Sequence, residues 1–249
     1  MERLISSDGS KDLIIATNPK SAFAEAIKSV KTNIQFSAIN QDLKTILITS
    51  PAPGDGKSFV AANLALAFAQ DDKNVLIIDA DLRRGRQHHI FKPKAVDNKT
   101  EVRAKLGYSN LIVRCKRKGA SVSSVNLSDY IYPTQYDNIS LLPAGYTPPN
   151  PLELLASAQN QRILNRLKGN YDIVLIDCPP ILGLSDTIVM SKLSDVNLLV
   201  VSYAKTKKEQ LSDSKKAFER VGSKITGVII NRANNIKSSY YSSYYTKDK

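Results

Sequence analysis

The chain has 249 residues, 42% of them apolar, with 35 Lys or Arg against 23 Asp or Glu and a net charge of +12. That length lies at the upper end of single-domain size, and its two cysteines, Cys115 and Cys178, suggest neither a disulfide framework nor, lacking His or Cys at ligand spacing, a metal site. The first residues, Met1 to Asp8, lack a signal-peptide core and no apolar run approaches the ~20 residues of a membrane span, so membrane association is expected only through a partner or surface charge.

In chain order, the first predicted element is an amphipathic helix over about 21–37, with Glu25, Lys28 and Lys31 near one face at i, i+3 and i+6. An apolar run, Ile46-Leu47-Ile48-Thr49, then feeds into Ser50-Pro51-Ala52-Pro53-Gly54-Asp55-Gly56-Lys57-Ser58. This reads as a strand ending in a phosphate-binding loop, followed by a helix whose apolar spacing starts at Val60, Leu64, Ala67 and Phe68. Pro51 stands where the strict motif has Gly, but Gly54 and Gly56 remain to bring backbone close to phosphate. Lys57 is expected to reach the terminal phosphates and Ser58 to ligate magnesium.

Two further strands end in carboxylates. Val75-Leu76-Ile77-Ile78 leads to Asp79-Ala80-Asp81-Leu82-Arg83, and Val174-Leu175-Ile176 leads to Asp177-Cys178-Pro179-Pro180. A lone Asp after a strand is usually a turn former, but three beside a phosphate loop, at the edge where parallel sheets bind ligands, predict a magnesium and phosphate site. Between them, Arg83 to Lys118 carries twelve Lys or Arg against only Asp97 and Glu101. Its aromatics are scattered, Phe91 and Tyr108, so it reads as a solvated basic face, with attraction to anionic lipid or an acidic partner next and nucleic acid not expected.

The remaining pattern predicts helices over about 152–167 and 186–193, a strand over 196–201, a charged helix over about 207–221 and a strand over 225–230. Such alternation means a single α/β domain, a parallel sheet with helices on both faces. Asn231, just past that final strand, reads from its residue type as a strand-terminating turn residue. After Asn235 the chain is polar, poor in aliphatics and rich in Ser and Tyr, and is expected to be a flexible tail with either adhesive or substrate character.

The loop Ser50 to Ser58, the Asp79 to Arg83 segment and the Asp177-Cys178-Pro179 segment resemble the Walker A, A′ and B motifs of bacterial tyrosine kinases, the autokinases of capsule and exopolysaccharide synthesis. Pro148 to Leu155 and the cluster Tyr240, Tyr241, Tyr244 and Tyr245 resemble further family segments, so the similarity spans nearly the whole chain. Gly85 departs from a usual proline, and about 93–105 looks longer than typical.

The resemblance implies an ATP-dependent kinase domain over 1–235 with P-loop NTPase architecture, and a tyrosine-rich tail over 236–249. ATP would be bound by Pro53, Gly54, Asp55, Gly56, Lys57, Ser58 and Phe59, with Asn231 at adenine. Magnesium would be organised by Ser58, Asp81 and Asp177; Lys57, Asp79, Asp81 and Arg83 would be catalytic, with Asp79 the favoured proton acceptor and its division of labour with Asp81 open. The four tail tyrosines would be phosphorylated in trans. Implied partners are further copies in a ring built through Glu25, Lys28 and Lys31, a membrane-spanning polysaccharide co-polymerase whose cytoplasmic tail activates the kinase, and a cognate tyrosine phosphatase. The chain would be cytoplasmic and recruited to the inner face of the cell membrane by its activator. Two other functions share the motifs: a partition or septum-positioning ATPase, disfavoured because Ala52 stands where that group has an extra lysine, and a non-catalytic nucleotide-binding adaptor.

Overall fold

The computed structural model describes residues 13–39, 42–92, 106–117 and 121–233. The four tail tyrosines and residues 93–105 of the basic segment therefore lie outside the described residues. Among the described residues, seven strands form one sheet: β1 (Thr45–Thr49), β2 (Val75–Asp79), β3 (Tyr132–Pro133), β4 (Ile139–Leu142), β5 (Ile173–Asp177), β6 (Val196–Ser202) and β7 (Gly227–Asn231). Their order is β3-β4-β2-β5-β1-β6-β7, parallel except for the antiparallel β3–β4 pair. The helices are α1 (Ile14–Thr17), α2 (Ala22–Ser37), α3 (Lys57–Ala69), α4 (Gln87–Phe91), α5 (Tyr108–Lys116), α6 (Pro151–Leu155), α7 (Ala158–Asn170), α8 (Asp186–Ser191) and α9 (Lys208–Glu219).

The central strands are apolar at every position because both faces are covered. In β1, Ile46 and Ile48 point into a core shared with α1 to α4, whereas Leu47 points into one shared with α5 to α8. Beyond β1, Leu199 of β6 meets Phe218 of α9 on that second face. The helix after the phosphate loop is itself core: every side chain from Val60 to Phe68 is buried. Its Asn63 accepts from the Ile15 N–H at 3.1 Å, so α1 is tied to α3 by a satisfied buried polar group rather than by apolar contact alone.

The structure departs from the sequence expectation in four places. The single helix expected over 152–167 is two helices, broken where the Ser157 hydroxyl accepts from the Asn160 N–H and donates to the Leu154 carbonyl. A serine that satisfies free N–H groups in this way starts a helix more readily than it continues one. Strands β3 and β4 and helices α1, α4 and α5 were not expected. The described part of the basic segment is not wholly a solvated face either, since α4 and α5 bury Phe91, Tyr108, Leu111, Ile112 and Cys115 while their basic side chains point outward. The final strand starts later than expected and includes Asn231.

Chain direction explains where a ligand fits. From β1 the chain crosses to β2 on one side, and from β5 it crosses past β1 to β6 on the other. Such a switch opens a crevice at the carboxyl ends of the strands. Asp79 pairs in register with Asp177, and Ile48 with Asp177, so the ends of β2, β5 and β1 are level.

Candidate active site

The phosphate loop runs from the buried end of β1 into α3. Gly56 is the residue before the helix, at φ +97°, and offers no side chain to the helix N–H groups. Those donors and the positive end of the helix dipole are left for an anion. Glycine is required at position 56 for a second reason: a Cβ there would lie 2.1 Å from the Asn231 amide nitrogen. That nitrogen donates to the Asp55 carbonyl at 2.9 Å. Asn231 thus props the loop from the end of β7, and the carboxylate of Asp55 is turned inward, accepting from the Ala52 N–H at 3.1 Å and the Thr206 hydroxyl at 3.3 Å. Asp55 shapes the loop; only its main chain is left to meet a nucleotide. The Phe59 ring packs on Phe23 of α2, with centroids 5.0 Å apart, and braces α3. Pro53 and Gly54 are exposed at the loop's crest.

The predicted charged residues converge. Lys57 Nζ lies 3.2 Å from Asp81 Oδ2, 3.2 Å from Asp177 Oδ1 and 3.3 Å from the Ser58 hydroxyl. Burial alone would lower the ammonium pKa, but Asp177, Asp81 and Asp79 together outweigh it and raise the pKa above its ordinary value. The lysine is therefore charged and joins the phosphate loop to both other motifs. Asp81 also accepts from the Arg84 N–H at 2.9 Å, which fixes its carboxylate at the rim.

Asp79 is wholly buried. Its Oδ2 accepts from the Gln87 N–H at 2.9 Å, while Oδ1 has no partner. Burial, then the neighbouring Asp177 charge, push its pKa up to about 7 against the opposing pull of the Gln87 N–H and Lys57. Gly85 closes over it: a Cβ at that position would lie 2.8 Å from Asp79 Oδ2 and 2.7 Å from the Ala144 Cβ. Arg83 points away from this carboxylate and pairs with the buried Asp186 at the start of α8, Nε to Oδ2 at 2.9 Å, anchoring the loop after β2.

Sequence reasoning missed Gln87. Its buried amide nitrogen donates to Asp177 Oδ2 at 2.8 Å and to the Ser58 carbonyl at 3.1 Å. With two acceptors facing it, the nitrogen assignment is fixed, because the flipped amide would set oxygen against oxygen. One residue thus touches all three motifs. The only sequence signal was its place eight residues after Asp79 in a segment dominated by charge.

Ser58, Asp81 and Asp177 offer the oxygen donors that magnesium prefers, and Asp79 Oδ1 and Gln87 Oε1 are buried acceptors still without donors. Among the described residues no three His, Cys, Asp or Glu side chains form a self-sufficient cage. That fits magnesium, which keeps waters and takes substrate phosphate oxygens rather than an all-protein shell.

Of the residues expected at an oligomer interface, Glu25 and Lys28 pair with each other at 2.8 Å on the half-exposed face of α2. Lys31 does not join them. It reaches both Asp71 oxygens at 2.7 Å and the Ala67 carbonyl at 3.1 Å, at the carboxyl end of α3 in the same subunit.

A family model described as an AAA domain matches residues 43–227. The chain is 35% identical to the tyrosine-protein kinase YwqD of Bacillus subtilis (strain 168), over 96% of this chain and 93% of that protein. It is 34% identical to the putative tyrosine-protein kinase CapB of Staphylococcus aureus, over 95% and 96%. Among solved structures, the chimerical protein CapA2B2 superposes with a TM-score of 0.77 at 34% identity, covering 89% of this chain and 90% of that one.

Proposed function

The chain belongs to the bacterial tyrosine-protein kinases of the capsule and exopolysaccharide systems, and on that premise we propose that it moves the γ-phosphoryl group of ATP to Tyr240, Tyr241, Tyr244 and Tyr245 of a neighbouring copy. The observation that carries this reading is the meeting of Lys57 with Asp81 and Asp177, at 3.2 Å each, directly behind a helix start whose N–H groups are free.

Phosphoryl transfer is catalysed mostly by positioning and charge neutralisation. The loop N–H groups from Gly54 to Phe59 hold the phosphates, with Pro53 shaping the crest beside them, and Lys57, released from the two carboxylates, turns to the terminal ones. Magnesium, held by Ser58, Asp81 and Asp177, would supply charge neutralisation at the phosphate oxygens. The phenol oxygen bonds to the γ-phosphorus as the bond to the bridging oxygen breaks; ADP leaves with that electron pair and the phenolic proton passes to a carboxylate. Asp79, with a pKa of about 7, is matched to that task at neutral pH. Its cover by Gly85 keeps it from water, so the loop held by Arg83 and Asp186 must yield before a phenol reaches it. Asn231, at the end of β7, supports the loop through its bond to the Asp55 carbonyl and would also contact adenine.

The partners follow the same reading. The similarity to a chimerical protein named for two components supports pairing with a membrane-spanning co-polymerase whose cytoplasmic tail activates the kinase. No described helix is long and apolar enough to cross a membrane, in keeping with recruitment to the inner membrane face by that activator. A cognate phosphatase would reset the tail, and ring assembly would use Glu25 and Lys28.

The test is direct. Lys57→Met, confirmed folded by circular dichroism, should lower phosphotyrosine formation from labelled ATP at least ~100-fold, with and without an activator tail. Wild-type labelling by that variant would overturn the site. Nucleotide binding by the wild type without any phosphotyrosine would favour the adaptor reading.

A further inference from the structure

The turn between β6 and α9 carries a lysine to the phosphate loop that none of the three motifs contains. This turn is built to a fixed shape. Ala204 takes a left-handed backbone, φ +55°, which a non-glycine residue adopts only when its surroundings hold it there. The Thr206 hydroxyl accepts from the Ser202 N–H at 2.9 Å and donates to Asp55 Oδ1 at 3.3 Å, so the turn is fastened to the loop's own scaffold residue. The Lys205 N–H closes the turn on the Ser202 carbonyl at 3.1 Å, and the Tyr203 N–H donates to the Asn231 carbonyl at 2.8 Å. The same Asn231 holds Asp55 from the other side.

The consequence falls on Lys205. A Cβ built on Gly54 would lie 3.2 Å from its ammonium nitrogen. Gly54 is itself a loop residue at φ +86°, two positions before the helix-starting Gly56. Among the described residues Lys205 makes no ion pair, whereas Lys57 is shared between two carboxylates. An exposed lysine has every reason to extend into water unless something anionic is to meet it. Here a pinned turn delivers it to the crest of an anion-binding loop.

We propose that Lys205 is a second phosphate-binding cation, contacting the β- and γ-phosphate oxygens of the bound nucleotide. The inference rests on the nucleotide site described above and deepens it. Magnesium-bound ATP retains two negative charges, and Lys57 with Lys205 matches both. The role also gives selectivity, since a monophosphate is too short to meet a cation at Gly54, and it places positive charge where the departing ADP gathers electrons.

The experiment measures binding of fluorescently labelled ATP, ADP and AMP to the full chain in magnesium, for wild type, Lys205→Met, Lys205→Gln, Lys205→Arg and Lys57→Met. Loss of one charge-assisted contact should weaken ATP about tenfold in Lys205→Met and Lys205→Gln, leave AMP unchanged, and make ATP affinity less sensitive to salt. Lys205→Arg should stay within about threefold of wild type. Equal ATP affinity in wild type and both neutral variants would overturn the proposal, and so would a loss that is as large for AMP, because that would mark a merely structural turn. Failure of the underlying reading looks different: the wild type would bind no ATP, or Lys57→Met would bind it normally.

Discussion

Opposing effects meet at Asp79: burial and the Asp177 charge disfavour its ionised form, and the Gln87 N–H and Lys57 favour it. The first two win. Its folded pKa of about 7 lies above the ordinary unfolded value of about 3.9, so between those values the folded chain keeps a proton that the unfolded chain has released. The stability this group contributes is thus full below about pH 4 and is lost as pH rises through 7. Comparing Asp79→Asn with wild type by urea unfolding of the nucleotide-free protein at about pH 5 and about pH 8 should show the variant gaining relative stability at the higher pH. Parallel behaviour would mean that Asp79 ionises normally. Gln87 makes a second prediction at this scale. Gln87→Leu removes both donors and leaves Asp177 Oδ2 buried and unpaired, which should cost about 1–3 kcal/mol. It should also raise the magnesium concentration needed for half-maximal binding of labelled ADP, since Asp177 is no longer held in place; an unchanged magnesium dependence would reduce Gln87 to packing.

Among the elements, α2 and α3 show how one sequence pattern can serve two ends. Glu25, Lys28 and Lys31 share a helix face in the sequence, yet the structure gives Lys31 a partner on α3, where its charge also complements the negative helix end at Ala67. Lys31→Met should therefore lower monomer stability by about 1 kcal/mol, measured by urea unfolding, and leave oligomer mass in light scattering unchanged. Glu25→Ala with Lys28→Ala should do the reverse. Loss of assembly in Lys31→Met at unchanged stability would return that residue to the interface. Other elements escaped the sequence for a related reason. Helix α5 sets buried apolar residues beside outward Arg114 and Lys116, and the count of charges masked a spacing that packs Tyr108, Leu111, Ile112 and Cys115 inward.

For the molecule as a whole, the proposed reaction requires a catalytic cluster at the carboxyl ends of the strands to meet tyrosines carried far along the sequence, after β7. Each added phosphate brings about −1.5 to −2 charge, so on the proposed reading a fully modified tail would repel the carboxylates of a neighbouring site and favour release of one copy from another. Mixing Lys57→Met protein, which keeps its tyrosines, with an active variant carrying Phe at positions 240, 241, 244 and 245 should label only the former. Phosphotyrosine at wild-type level in the four-Phe variant alone would place the acceptors elsewhere. An unlabelled mixture would argue against transfer between copies.

The sequence by itself determined the class of fold, the phosphate loop and the three carboxylates, because strand runs ending in Gly, Lys, Ser and Asp are local patterns that fix both backbone path and chemistry. Residues such as Lys57, Asp81 and Asp177 were legible for that reason, and tertiary structure only confirmed that they meet. Tertiary structure alone decided that Asp79 is sealed beneath Gly85, that Asp55 and Asn231 are braces of the loop, that Arg83 is spent on Asp186, and that Gln87 and Lys205 belong to the site at all. Among those contacts, hydrogen bonds join residues 90, 103 and 176 positions apart. Their partners are set by strand order and helix packing, which no local pattern encodes.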